Sequence, residues 1–199
     1  MRQDAVANRD VIVDAARKLF VEQGPGVSMR AIVKEAGVGV ATASRHFPGR
    51  VELFDAIGAR AVTDIEAVIN EAREKFDENP RDAWRGAAHA IGEMKLAALA
   101  QALFGALNAS TAGGTQGVGE IVDNRVADLR RIYEPLVDKA KAAGLCPQKV
   151  APLDVHFGLG VITRPLPETA VSKNYFSEIQ EELLDVMLDG LEVRAQGER

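Results

Sequence analysis

The chain has 199 residues, enough for one large or two small domains, and 47% are hydrophobic but only 5% aromatic, which suits a helical globule built from small apolar side chains. A formal net charge of −5 would ordinarily argue against a nucleic-acid partner, and a single cysteine, Cys146, allows no intramolecular disulfide. The amino terminus carries early acids and no apolar signal core, and the most apolar stretch, Leu96 to Ala109, is interrupted by Gln101, Gly105 and Asn108, so a cytoplasmic chain with no membrane partner is expected.

No convincing strand alternation occurs, and the elements read as helices throughout. In the first, Ile12, Ala15, Ala16, Leu19 and Phe20 recur on one face, opposite Asp10, Asp14, Arg17, Lys18 and Glu22, until Gly24 and Pro25 stop it. Ser28 is a good N-cap for a second helix of barely two turns, with Met29, Ile32, Val33 and Ala36 at helical spacing and a stop at Gly37. Gly37-Val38-Gly39 predicts a tight corner with Val38 as a plug. A third helix, Val40 to Phe47, buries Val40, Ala43 and Phe47 on one side and leaves Ala41, Thr42, Ser44, Arg45 and His46 outside. Such a small helix with a polar outer face is what a helix-turn-helix needs to read DNA.

A fourth helix is predicted from Arg50 to Phe76, its start (Leu53, Phe54, Ile57) in the first core and its end (Ile65, Val68, Ile69, Ala72, Phe76) in a second. Asn79-Pro80 opens another through Trp84, Ala87, Ile91, Met94 and Ala98, bending before Leu103 and Leu107. A loop is expected over 108–119, then helices over Val122 to Ala140 with Pro135 as a kink, Pro152 to about Thr163, and Ser172 to about Val193. The boundary falls after residue 50: a helix-turn-helix domain over 1–50 and a second helical domain over 51–199. Charge divides likewise, since residues 1–50 hold eight Lys or Arg against five Asp or Glu, about +3, and the remainder carries about −8.

The segments "VDAARKLFVEQG", "SMRAIVKEAGVGVATASRHF" and "RVELFDAI" stand in the order and spacing by which the stretch Arg9 to Ile57 resembles the DNA-binding half of the TetR family of transcriptional regulators. The resemblance implies an all-α fold in which Val40, Ala41 and Arg45 face base edges and Arg30 reaches into the same groove. Arginine can bond bidentately to guanine, whereas Val40 and Ala41 offer only apolar contact to thymine methyls. Ser28, Thr42, Ser44, His46 and Arg50 are then expected on phosphates. Ser44 stands where the family usually has Tyr, and Gly39 where it often has a polar cap. These departures keep a second reading open, an interaction module derived from a helix-turn-helix that has lost specific DNA binding.

The last helix carries one stripe, Phe176, Ile179, Leu183, Val186 and Gly190, widened by Leu184, Met187, Leu188 and Leu191, more than packing against one neighbour would use. With Leu153, Phe157 and Gly160 of the preceding helix these predict a homodimer through a four-helix interface, which the resemblance also implies. It further suggests repression of a palindromic operator, relieved by a small-molecule effector. Ile65, Ile69, Trp84, Ile91, Phe104, Val126, Tyr133 and His156 are the candidate walls of its pocket, aromatic with a few polar tips. An enzyme is not expected, nor a cofactor or metal. His89 and Glu93 stand one turn apart without a second His, and Cys146 has no His partner in sequence.

Overall fold

The computed structural model describes residues 2–110, 118–164 and 170–198, with side chains described over 8–105, 119–164 and 179–198. Among these residues the regular elements are α1 (Arg2–Gln23), a 3-10 turn (Gly24–Gly26), α2 (Met29–Ala36), α3 (Val40–His46), α4 (Arg50–Lys75), α5 (Pro80–Glu93), α6 (Leu96–Ser110), α7 (Val118–Ala143), α8 (Pro152–Ile162) and α9 (Ala170–Gly197). No helix among the described residues is long and apolar enough to cross a membrane.

Local chemistry sets several boundaries. Ser28 Oγ accepts the Ala31 N–H at 3.1 Å, satisfying one orphan donor of α2. At the other end Gly37 adopts φ 66°, and its N–H reaches the Lys34 carbonyl while that of Val38 reaches Val33. That left-handed backbone costs a residue with a Cβ about 1 to 2 kcal/mol, which is why glycine stands there. Asn79 caps α5 through its side chain, with Pro80 in the first turn.

Two expectations change. The helix through Trp84 does not run on to Ala98: α5 ends at Glu93, and Lys95 takes φ 51° before α6 begins. Gly92 lies in the last turn of α5, but the left-handed residue itself is a lysine. The loop expected over 108–119 is narrower, because α6 extends to Ser110 and α7 starts at Val118; residues 111–117 lie outside the described residues.

The chain forms two compact units, each discontinuous in sequence: Met1–Val62 with Ala98–Arg125, and Thr63–Ala97 with Val126–Arg199. This differs from a single division after residue 50. In the first unit Ile12, Ala16 and Phe20 of α1, Ile32 of α2, Ala43 of α3, and Leu53 and Ile57 of α4 share one core with Leu99 and Ala102 of α6. The apolar face of α6 needs cover as much as that of α1, and a large aliphatic side chain gains about 1.5 to 3 kcal/mol by it. Phe20 and Phe54 meet edge-on, ring centroids 5.4 Å apart.

In the second unit Ile65, Ile69, Trp84, Ile91, Tyr133, Leu136, Leu159, Leu184 and Leu188 are buried. Ion pairs tie α5 to α9: Arg85 donates to Asp189 at 2.6 Å and to Asp185 at 2.7 Å, and Arg81 donates to Glu192 at 3.0 Å. His89 Nε2 lies 2.8 Å from the same Asp185 oxygen, so this histidine, read from sequence as a solvated neighbour of Glu93, is tied across helices. The hydrogen bond from His89, then the charges of His89 and Arg85, hold the Asp185 carboxyl below its usual range. A second polar pair joins α7 to α8, where His156 Nδ1 lies 3.1 Å from the Tyr133 hydroxyl and the rings meet edge-on.

Two outcomes follow from these local arrangements. A Cβ added at Gly37 would meet nothing within 4 Å, so Gly37→Ala isolates the backbone cost and should destabilise the fold by about 1 kcal/mol in a denaturant titration. Gly26→Ala, equally open but without a positive φ, should not; equal effects at both positions would contradict the assignment. Burial pushes the His156 pKa down, so the folded chain binds fewer protons there than the unfolded chain. Its stability contribution is therefore complete above the ordinary histidine pKa of about 6.5 and is lost as pH falls through the folded value. The melting temperature should drop more between about pH 7 and about pH 5 for the natural chain than for His156→Gln, and parallel profiles would rule this out.

Candidate nucleic-acid interface

The site is assembled from α2, the Gly37-Val38-Gly39 corner and α3. Val38 is half-buried against the first unit's core, the plug position expected for it. Gly39 caps α3 by backbone alone, its carbonyl accepting from Thr42 and Ala43, both at 3.0 Å. Ala43 and Phe47 are buried and anchor the inner face of α3. Ala41, Ser44 and Arg45 are exposed, while Thr42 and His46 are half-buried at its edges.

Val40 departs from expectation. It is 66% exposed, standing with Ala41 on the outer face instead of packing with Ala43. The position assigned to it by resemblance, facing outward, is thus the one it occupies, and the position assigned by periodicity is not. Val40 is the first residue of α3, where the helix has hardly begun to turn toward its neighbours. Arg30 and Ser28 are exposed on the α2 side of the corner, and the Ser28 hydroxyl keeps its own hydrogen to donate while its oxygen caps α2.

Arg50 is partly diverted. Its Nη2 donates to the Val27 carbonyl at 2.8 Å, tying the start of α4 to the segment before α2, so part of this guanidinium serves the fold. Arg9 of α1 is a further cation at this end of the site, and nothing in its sequence context marks it. Its guanidinium carbon lies 5.4 Å from the centroid of the Phe47 ring, a cation against an aromatic face at the end of α3. No pattern in the sequence pairs residues that far apart.

The residues proposed as pocket walls do not converge as a set. Ile65, Ile69, Trp84, Ile91 and Tyr133 are buried core, Val126 and His156 are half-buried, and Phe104 is 48% exposed and belongs to the first unit. Two clefts of the second unit have other linings. One, of about 530 Å³, lies between the end of α4 and α5 and includes Val68, Ala72, Ala83 and Ala87. The other, of about 280 Å³, is bordered by His89, Glu93, Thr163 and Gln180. Burial pushes the Cys146 thiol up to about 11, which makes it a poor nucleophile at neutral pH.

The dimer set needs correction in part. Leu184 and Leu188 are buried within their own unit, so they are not surface that a second chain could cover. Met187 is half-buried, its sulfur lying 3.1 Å from where a Cβ on Gly158 would be, so it packs on α8 of its own chain. Leu153 and Leu191 are half-buried, Gly160 borders open space, Phe157 is exposed, and the Phe176 side chain lies outside the described residues. Among the described residues the outward large apolar side chains of these two helices are Phe157 and Val161 of α8 with Ile179, Leu183, Val186 and Val193 of α9. A helix buried on one side and apolar on the other carries two stripes, and periodicity alone cannot say which faces out.

With this geometry in hand, residues 12–57 match the family described as bacterial regulatory proteins, tetR family, a span that holds the whole corner and α3. An HTH-type transcriptional regulator of Staphylococcus aureus (strain bovine RF122 / ET3-1) is 46% identical over 83 residues, covering 41% of this chain and 43% of that protein. The chain therefore matches less than half the length of this relative. The structure of a TetR transcriptional regulator from Streptomyces coelicolor is similar over 92% of this chain and 97% of its own, with TM-score 0.67 and 27% identity. A TetR transcription regulatory protein from Mycobacterium vanbaalenii shares the fold at TM-score 0.64 and 24% identity, over 96% of this chain and 98% of its own. The helix-turn-helix segment thus matches the tetR family of bacterial regulatory proteins, and the fold over most of the chain is similar to that of a TetR transcriptional regulator.

Proposed function

We propose that the protein is a sequence-specific DNA-binding transcriptional regulator, a homodimer that represses from a palindromic operator and is released by a small molecule. The observation that carries this reading is the outer face of α3, where Val40, Ala41, Ser44 and Arg45 are exposed on a helix fixed from behind by Ala43 and Phe47. Arg45 and Arg30 read guanine edges, Val40 and Ala41 meet thymine methyls, and Ser28, Thr42, Ser44 and His46 hold phosphates. Ser44 contributes a short hydroxyl in place of the usual phenol, so more of the phosphate grip falls to cations.

One such helix reads half a site. Two must lie about one duplex turn apart, roughly 34 to 36 Å, to enter successive major grooves, which a twofold dimer provides. Supporting a dimer, Val161 is 76% exposed and Val186 60%, and Phe157 of α8 with Leu183 and Val193 of α9 are exposed as well, more large apolar side chains than two helices of one surface ordinarily leave in water. Facing copies of α8 and α9 would cover it in a four-helix contact.

For the effector, the second unit offers Trp84, whose indole N–H is buried without a hydrogen-bond partner among the described residues. A buried donor left unmade costs about 1 to 3 kcal/mol, and an acceptor on a bound molecule would recover it. Whatever factor the effector takes from DNA affinity, DNA takes from effector affinity.

Arg45→Ala removes an exposed side chain, so the fold should persist while operator binding weakens by about 1 to 3 kcal/mol and one base position loses its preference. Equal weakening on every sequence would instead make Arg45 a phosphate contact. The double change Leu183→Glu with Val186→Glu places charge on the outward stripe and should give monomers in sedimentation, with the helical circular dichroism retained. A dimer that survives it would put the interface elsewhere.

A further inference from the structure

We propose that Arg9 of α1 is a DNA-phosphate contact, held beside the C-terminal end of the reading helix by the face of Phe47. The inference rests on the reading of α3 as the DNA-binding helix. Phe47 is the C-cap residue of α3, its N–H bonded to the Ala43 carbonyl at 2.8 Å and its side chain buried, so its ring is a fixed platform. Arg9 lies 5.4 Å from that ring's centroid yet is exposed.

A guanidinium attracted through an aromatic face is restricted in position while its N–H donors remain available, the arrangement that suits phosphate. The place also matters. The C-terminal end of a helix carries the negative end of its dipole, which disfavours an approaching phosphate unless a cation stands beside it. Arg50, the arginine that the sequence offered for this task, has one arm committed to the Val27 carbonyl at 2.8 Å. Arg9 supplies positive charge from another helix, at a point fixed by the cap of α3. Because phosphate contacts position without specifying, Arg9 should add affinity on any sequence.

Binding of the full chain to a random-sequence duplex, and to a fragment selected from its source genome, measured over a salt series, tests this with Arg9→Gln and Arg9→Lys. Arg9→Gln should make the dependence of log K on log salt shallower by about 0.9 per subunit and weaken both duplexes by the same factor, with the melting temperature lowered no more than the loss of one exposed cation–aromatic contact would give. Arg9→Lys should restore most of the slope, since it keeps the charge. An unchanged slope in Arg9→Gln, with or without a lower melting temperature, would overturn the proposal and leave Arg9 a packing residue. So would a loss confined to the selected fragment. If the natural chain itself shows no salt-dependent binding to either duplex, the DNA reading fails and takes the Arg9 proposal with it, an outcome distinct from a normal natural chain with a silent variant.

Discussion

Everything about this protein's outer chemistry depends on how α3 is held. The helix is seven residues long, less than two full turns, and among its own side chains only Ala43 is buried, with Phe47 as the buried cap that follows. A helix so short is not stable by itself; its conformation comes from those two anchors, the Gly39 carbonyl that starts it and the left-handed Gly37 that aims it. The same anchoring leaves the opposite face uncovered. Val40, Ala41 and Arg45 of α3 are exposed there, and Arg30 of α2 is exposed as well, so apolar and hydrogen-bonding groups are both left in water.

The second unit shows a comparable division of faces on a larger scale. In α9, Leu184 and Leu188 fill the interior while Asp185 and Asp189 meet Arg85 of α5, so apolar and ionic contacts fix the helix against its neighbour together. These ion pairs are partly solvated, and pairs of that kind contribute at most about 1 kcal/mol each; their value is in setting which part of α9 faces α5. Once those residues are committed inward, Leu183 and Val186 face outward. The apolar outer stripe follows from the way the inner one is packed.

Much of this was legible in the sequence, and what was not has physical causes. Ser28, Gly37 and Asn79-Pro80 marked helix ends because capping is local chemistry, decided within a few residues. The break at Lys95 is hard to read because the left-handed position is a lysine, and the nearest glycine, Gly92, lies inside the last turn of α5. Periodicity shows that α6 and α9 each have apolar faces but not what covers them, so the place of Leu99 and Ala102 in the first core and the burial of Leu188 in the second unit come only with the fold. Val40 is exposed, although its helical phase puts it with Ala43 and Phe47 on the buried side, because a first-turn residue is not yet held by the turns that follow. The pairing of Arg9 with Phe47 arises only when α1 and α3 are folded together, and no spacing rule contains it.

The central claim is that the outer face of α3 reads duplex DNA, two copies at a time. Selecting bound fragments from the source genome with the full chain at low ionic strength, then footprinting the enriched sequence, addresses it most directly. The account predicts a twofold-symmetric protected site whose half-sites are centred about one turn, roughly 34 to 36 Å, apart on one side of the duplex. Recovery of no preferred sequence, or protection of a single unpaired element, would contradict it.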